Sequence, residues 1–355
     1  MSRTELAALT GLSKVTAGQL LARLDELGVV EVVGTRAGGR GPNVDVHGVV
    51  AAAAHVVGVQ VDQDLVTAAT CDLLASSGPP VELSAAASGL ADDPVALVRG
   101  AVAQAVAAAG VAEGSVRAVV VGISGIVDPG TGDVAFSYDH PQWGAGVRAE
   151  LERGLGRPVT VDNDVNLRAI AEQREGVAVG EQDFVYLWVG GGVGSAIVLS
   201  GAVRRGTTGA AGELGYLPVP GVAAPGHIGR RDKGGFQQLV AEEAVLALAR
   251  ERGHDATTLA AAVASGGRPF VEELAMRLAL GVAAVCVVVD PRLVVLAGPL
   301  AEAGGPDLCA LVARDAAAVA PMQARVVAGR VPELGVMRGA HLVGLETARE
   351  RLITG

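Results

Sequence analysis

The first forty-five residues carry a hydrophobic pattern that changes period along its length. Arg3-Thr4-Glu5-Leu6-Ala7-Ala8-Leu9 has its apolar positions at helical spacing, and Thr10-Gly11-Leu12 interrupts them, since Gly11 tolerates a positive φ. Ser13 is a good N-cap for a second helix running to about Leu27, with Leu20, Leu21, Leu24 and Leu27 as its inner stripe. Gly28 ends it. Val29 to Val33 reads as a strand, Gly34 to Pro42 as a turn, and Asn43 to Val46 as the returning strand. Helix, three-residue turn, helix and β-hairpin predict a winged helix-turn-helix over residues 1–46. Ser13 opens the second helix, which is expected to turn Lys14, Thr16, Ala17, Gln19 and Arg23 outward. Such residue types contact bases and phosphates in a major groove. Arg36 and Arg40 on the hairpin are placed to reach phosphates or the minor groove. A small helical cap with a solvated polar face is the plain alternative. A winged domain normally has one more helix before this segment. Either the natural start lies upstream of Met1, or the small domain is only marginally stable.

Beyond a small-residue linker, Val44 to Ala54, strand-like and helix-like stretches alternate. Strands are expected at His55 to Val61, Leu65 to Leu74, Arg117 to Ile123, Pro158 to Val161, Phe184 to Val189, Ser195 to Leu199 and Leu293 to Ala297. Helices are expected at Val98 to Ala109, Val165 to Gln173, Ala241 to Arg252, Pro269 to Val289 and Gly339 to Arg351. This alternation predicts an α/β architecture. His55 to Leu74 is an apolar hairpin around Asp62-Gln63-Asp64, and Phe184 to Leu199 is another around the glycines of residues 190–194. The echo suggests two duplicated lobes with a ligand in the cleft between them.

Composition narrows the class. Half of the 355 residues are hydrophobic and 19% are charged, which excludes a disordered or fibrous chain. Aromatics make up only 3%, so the cores must be built from Val, Leu, Ile and Ala. Cys71, Cys286 and Cys309 form no CxxC pair, which suits a reducing cytoplasm. Arg3 and Glu5 sit where the apolar run of a signal peptide would have to build. The longest apolar run, Ala279 to Val289, is short of the ~18–20 residues of a membrane span, so no membrane partner is expected. A net charge of -10 argues at first against nucleic acid. Residues 1–45, however, hold five basic and five acidic groups, so the whole excess lies in the remainder.

Several motifs in order resemble the ROK family (repressors, open reading frames, kinases) of the actin-like ATPase superfamily. The N-terminal segment with Leu12-Ser13-Lys14 and Gly38-Gly39-Arg40 is similar to the DNA-binding domain of its repressor branch. Residues 122–128 (GISGIVD) resemble the strand and turn under the sugar, and residues 162–166 (DNDVN) the segment carrying the kinase base. The most specific stretch is residues 192–201 (GVGSAIVLSG), followed by Arg205-Gly206 and by residues 211–215 (AGELG). Residues 296–300 (LAGPL) resemble the nucleotide-side strand and turn. The resemblance implies a two-lobed, actin-like (ribonuclease H-like) α/β fold with an N-terminal winged helix-turn-helix. It divides the chain into 1–46, a first lobe at 55–163 and a second at 164–355, with the C-terminal helix returning to the first lobe.

It also implies roles. Asp164 would accept the proton of a sugar hydroxyl in a kinase, with Asn163 and Glu213 binding hydroxyls; a plain N-cap on the following helix is the other reading of Asp164. Gly125, Tyr216 and Gln237 complete the expected sugar site, and Gly192, Gly194 and Gly298 would face a nucleotide. The departures weigh as much. The family's phosphate turn reads Gln60-Val61-Asp62-Gln63-Asp64 here, without its glycines and with two carboxylates where polyphosphate would sit. The zinc-ligand His position is Tyr216, the corresponding Cys region at 226–236 has no cysteine, and His227 alone makes no tetrahedral site. Neither zinc nor ATP with Mg is therefore expected as a cofactor. The expectation is a cytoplasmic regulator, a repressor before an activator, binding operator DNA as a homodimer or homotetramer and sensing a sugar without efficient phosphotransfer. A sugar kinase with an added domain is the alternative, and a ligand-independent DNA-binding protein or remnant is the third reading.

Overall fold

The computed structural model describes residues 1–37, 43–222, 235–321, 324–331 and 334–354. Helix α1 (Arg3–Thr10) starts in a capping box: Ser2 Oγ accepts from the Glu5 amide, and the Glu5 carboxylate accepts from the Ser2 amide. Gly11, at φ 71°, ends it. Ser13 then caps α2 (Lys14–Glu26) by accepting from the Thr16 amide. Strands β1 (Val30–Arg36) and β2 (Val44–Val49) form an antiparallel hairpin with an irregularity between Val32 and Gly34. Ser2 bridges to Val46, and the Met1 amino group donates to the His47 carbonyl, so the start of the chain lies along β2. The predicted linker at 44–54 is mostly this strand, followed by a 3-10 turn at Ala51–Ala53. Two details of the expected helix faces are corrected. Ala17 is fully buried rather than outward, because a methyl group is what the close approach of α1 to α2 admits. Leu27, at 43% exposed, lies at the end of the stripe, where the helix has already stopped.

The rest of the chain runs β3 (His55–Val61), β4 (Leu65–Asp72), β5 (Val81–Ser84), α3 (Ala85–Ser88), α4 (Pro94–Ala109) and β6 (Val116–Ile123). There follow β7 (Ile126–Val127), β8 (Val134–Phe136), α5 (Val147–Leu155), β9 (Val159–Asn163) and α6 (Asp164–Glu175). Next come β10 (Phe184–Val189), β11 (Val193–Leu199), β12 (Ala202–Val203), α7 (Gln237–Val240) and α8 (Glu242–Glu251). The chain closes with α9 (Leu259–Val289), β13 (Leu293–Ala297), α10 (Pro299–Val319), β14 (Arg325–Ala328) and α11 (Gly335–Thr354).

The chain divides into two units, one of residues 1–122, 146–160 and 340–355, the other of 123–145 and 161–339. The first holds the N-terminal helices and hairpin together with a sheet of order β5-β4-β3-β6-β9. The second holds a sheet of order β12-β11-β10-β13-β14. The two orders are the same: a hairpin, a third strand on its outer side, and two later strands added to the inner side. The duplication expected from the paired hairpins is thus present in the topology.

Each sheet buries apolar residues on both faces, as period-2 alternation requires of a covered sheet. In β10, Val185, Leu187 and Val189 join the core built with α8, α9 and α10, while Phe184 and Tyr186 join a smaller core with Val165 and Ala169 of α6. In the first unit Val56, Cys71 and Ala118 pack with Leu345 and Ala348 of α11. His341 of α11 is buried there, with its ring nitrogens bonded to the Ala69 carbonyl and the Ser77 hydroxyl. Helix α9 is two segments joined at Gly267, which has φ 64° and ψ -170°; the second is the helix expected from Pro269. Among the described residues no helix is long and apolar enough to cross a membrane.

Candidate functional site

The second unit contains a cavity of about 220 Å³. Its floor is the junction of β9 and α6. Asn163 is the N-cap of α6: its Oδ1 accepts from the Val165 and Asn166 amides at 2.9 and 3.1 Å. Its Nδ2 donates to the Gly125 carbonyl at 2.9 Å, tying the turn before β7 to the helix start. The cap, the other reading of Asp164, therefore belongs to Asn163. Asp164, the first residue of the helix, lines the cavity instead. An acid in the first turn is also favoured by the helix dipole.

Asp162, one residue before the cap, is nearly buried and stays outside the cavity lining. It takes a two-point bond from Arg205, at 3.3 Å to Nε and 2.5 Å to Nη2, and a third from Asn166 Nδ2 at 3.2 Å. This pair fixes the 205–206 turn against β9. Glu213 enters the cavity from the loop that follows, just ahead of the 3-10 turn at Leu214–Tyr216. Burial, with the Asp164 carboxylate as the second cause, pushes the Glu213 carboxyl up to about 7. Burial also raises the neighbouring Tyr216 hydroxyl, with Glu213 adding to it.

Gly125, Asn163, Asp164, Glu213, Tyr216 and Gln237 were expected in one site, and all six line this cavity. Gly192 and Gly194 of the β10–β11 turn line it as well, whereas Gly298 lies outside the lining. Gly194 is required by packing: a Cβ there would come within 2.6 Å of a Val165 methyl carbon, so α6 could not approach β11. Phe136, Tyr138, Asp139 and Trp188 also line the cavity and were not expected from the sequence. Scarcity was the available signal. The chain has four Phe, three Tyr and two Trp, and Phe136, Tyr138, Trp188 and Tyr216 all meet in this cavity. Glu172 was likewise missed. It is fully buried and accepts from the amides of Val177, Arg330 and Val331, pinning α6 to the segment after β14.

The metal question concerns the same loop. Residues 226–234, with His227, lie outside the described residues; Tyr216 and Gln237 belong to the cavity, and Cys71, Cys286 and Cys309 are buried as free thiols. Among the described residues no group of three or more His, Cys, Asp or Glu is placed to hold a metal ion. In the first unit, the β3–β4 turn is closed on its own polar groups. Gln60 Nε2 donates to Asp62 Oδ2 at 2.8 Å, the Asp62 amide to the Leu65 carbonyl at 2.9 Å, and the Asp64 carbonyl accepts from the Ala85 amide at 3.0 Å.

Of the residues expected to face DNA, Ser13, Lys14, Thr16, Gln19, Arg23 and Arg36 are exposed. The Ser13 and Thr16 hydroxyls bond to each other at 2.8 Å within the cap. Arg23 Nη2 donates to the Ile353 carbonyl at 3.2 Å, and Arg36 pairs with Glu5 at 2.7 Å. Arg40 lies outside the described residues.

Among known proteins, an N-acetyl-D-glucosamine kinase of Photobacterium profundum is 32% identical over 250 residues, covering 64% of this chain and 80% of that protein. A xylose repressor of Caldicellulosiruptor bescii is 25% identical over 229 residues, covering 62% of this chain and 55% of the repressor. The chain spans from 28% to 80% of the length of the curated relatives it matches first. A crystal structure of a ROK family transcriptional regulator, a homologue of the E. coli MLC protein, superposes with a TM-score of 0.79 at 18% identity over 100% of this chain and 95% of that one. Repressors and sugar kinases thus both stand among the neighbours. The sequence pattern of the ROK family itself matches residues 85–340 of the 355, and the chain belongs to that family.

Proposed function

We propose that the chain is a transcriptional regulator, a repressor, whose N-terminal winged helix-turn-helix binds operator DNA and whose second-unit cavity senses a sugar without efficient phosphotransfer. Carboxylates and amides suit a polyol, since they offer paired acceptors and donors to neighbouring hydroxyls. In this reading Asp164 and Glu213 accept from ligand hydroxyls, Gln237 and the second N–H of Asn163 donate, and Tyr216 supplies a hydroxyl and an apolar ring. Occupancy is read out as altered operator affinity of a homodimer or homotetramer in the cytoplasm, because two half-sites about one DNA turn apart need a symmetric assembly. Neither zinc, ATP nor Mg is part of the cycle.

The observation that carries regulator over kinase is the β3–β4 turn. A phosphate cradle needs backbone N–H groups open to the ligand. Here the Asp62 amide is spent on the Leu65 carbonyl, and Asp62 and Asp64 bring negative charge. The retained Asp164, first residue of α6 and beside Glu213, favours the alternative, an ATP-dependent sugar kinase. The two are separated by one pair of assays on the purified chain. A thermal-shift panel of neutral sugars, sugar phosphates and ATP is expected to give a sugar hit that Asp164→Asn and Glu213→Gln abolish, and that sugar is expected to change operator affinity in a DNA-binding titration. Phosphorylation of any hexose at a rate lost in Asp164→Asn would overturn the assignment. So would operator affinity that no member of the panel alters.

A further inference from the structure

We propose that Trp188 is the specificity-determining residue that makes the cavity a one-ligand pocket. Its indole fills the room between the β10–β11 glycine turn and the Gly298–Pro299 turn, bars a nucleotide from it, and leaves its free surface to a sugar ring. The inference rests on reading the cavity as a sugar site and adds what sets its selectivity.

Strand register puts Trp188 there. It follows Phe184 and Tyr186 on the same face of β10, pairs with Gly194 on β11 and with Ala297 on β13, and lies where that face runs out of core. Glycines surround it. A Cβ added at Gly298 would lie 3.0 and 3.1 Å from indole Cδ2 and Cε2, and one added at Gly190 would lie 3.3 Å from Nε1 and 3.1 Å from Pro299 Cδ. The ring is therefore wedged between the two turns that carry the glycines expected on the nucleotide side. Gly298, at φ 89°, has a backbone that a side chain could not readily adopt, and it lies against the indole.

Arg168 keeps the ring in place. Its guanidinium carbon sits 4.0 Å from the ring centroid, and the residue is only 8% exposed. Its buried Nε has no hydrogen-bond partner, and the stack on the ring is a favourable contact for the guanidinium. Moving the indole out would leave a nearly buried cation without its stack. The remaining volume, about 220 Å³, is below the ~300–1,000 Å³ of sites for drug-sized ligands, and suits a single small ring. Aromatic rings with carboxylates match such a ring, whose C–H face is apolar and whose rim is polar.

The test uses the full chain with Trp188→Ala and Trp188→Thr, the second keeping a strand-compatible residue. Nucleotide binding is measured calorimetrically with ATP and ADP, with and without Mg, and sugar binding with the best hit of the neutral-sugar panel. The expected result is no wild-type response to millimolar nucleotide, at least tenfold tighter nucleotide binding in either variant, and at least tenfold weaker sugar binding. Variants that bind nucleotide no better than the wild type overturn the proposal, as does micromolar ATP binding by the wild type. If neither variant melts cooperatively, Trp143→Phe leaves Trp188 as the one indole. Its emission should then respond to the sugar and not to ATP, and an ATP-dependent change overturns the proposal. A gain of nucleotide binding in the variants with no sugar response in the wild type upholds exclusion by Trp188 while it sinks the sugar-sensor reading.

Discussion

Asp164 and Glu213 share a small cavity, and Glu213 is the one whose carboxyl is displaced by its surroundings. Glu213 is raised to about 7 by burial first and by Asp164, the first residue of α6, second. The folded state binds the Glu213 proton more tightly than the unfolded chain, so this contribution to stability is fully present below the ordinary value of 4.5 and is lost as pH rises through about 7. Glu213→Gln is expected to raise the melting temperature at pH 8 and to flatten the fall in stability between pH 5 and 8. Melting curves of both proteins across that range check it, and parallel curves would sink it. Asn163 makes a separate prediction. It caps two amides and ties Gly125, so Asn163→Ala should cost about 1–2 kcal/mol in chemical denaturation and loosen the floor of the cavity.

At the scale of elements, the second unit is held together near the cavity by two buried acids that lie outside its lining. Asp162 anchors the 205–206 turn through Arg205, and Glu172 anchors the segment after β14 through backbone amides. Removing one side of a buried pair leaves an uncompensated charge. Because the Arg205 side chain is 35% exposed and the Asn163 amide and Asn166 still serve Asp162, Arg205→Ala is expected to destabilise by roughly 1–3 kcal/mol. Urea unfolding measures it, and a loss below about 1 kcal/mol would show that the pair is dispensable. In the N-terminal segment the exposed face of α2 offers Lys14 and Gln19 unbonded to other elements, while the equally exposed Arg23 and Arg36 bond within the chain, to the Ile353 carbonyl and to Glu5. Lys14→Ala should therefore lower operator affinity and reduce the slope of log affinity against log salt by about 1. The exposed pair of Arg36 with Glu5 is worth little to stability.

On the scale of the molecule, charge and topology pull in one direction. The net charge of -10 falls outside residues 1–45, which are neutral, so each subunit should bind DNA weakly and with strong salt dependence. Operator affinity is expected to drop at least about a thousandfold between about 50 and 200 mM salt if roughly six or more phosphates are contacted across a dimer. A flat salt response would argue against an electrostatic operator complex. The same acidity makes a neutral sugar a more natural ligand than a sugar phosphate, which the thermal-shift panel also tests.

Periodicity alone located the hairpins that start at His55 to Val61 and Phe184 to Val189, because a strand buried on both faces leaves a nearly unbroken apolar run. It missed α10, whose Gly304-Gly305-Pro306 resembles a loop in sequence but is a break at Gly305 within a helix stabilised by packing on α9. The capping box of Ser2 and Glu5, by contrast, is a pattern of residues three apart. Local spacing determined the duplicated α/β plan, and the resemblance of short motifs to the ROK family supplied the six expected members of the site, since backbone preference and short motifs are properties of neighbouring residues. Only the tertiary structure decided that Ala17 turns inward and that Trp188, Arg168 and Gly298 meet. Those facts depend on strand register and helix approach between residues far apart in the chain, which no local pattern encodes.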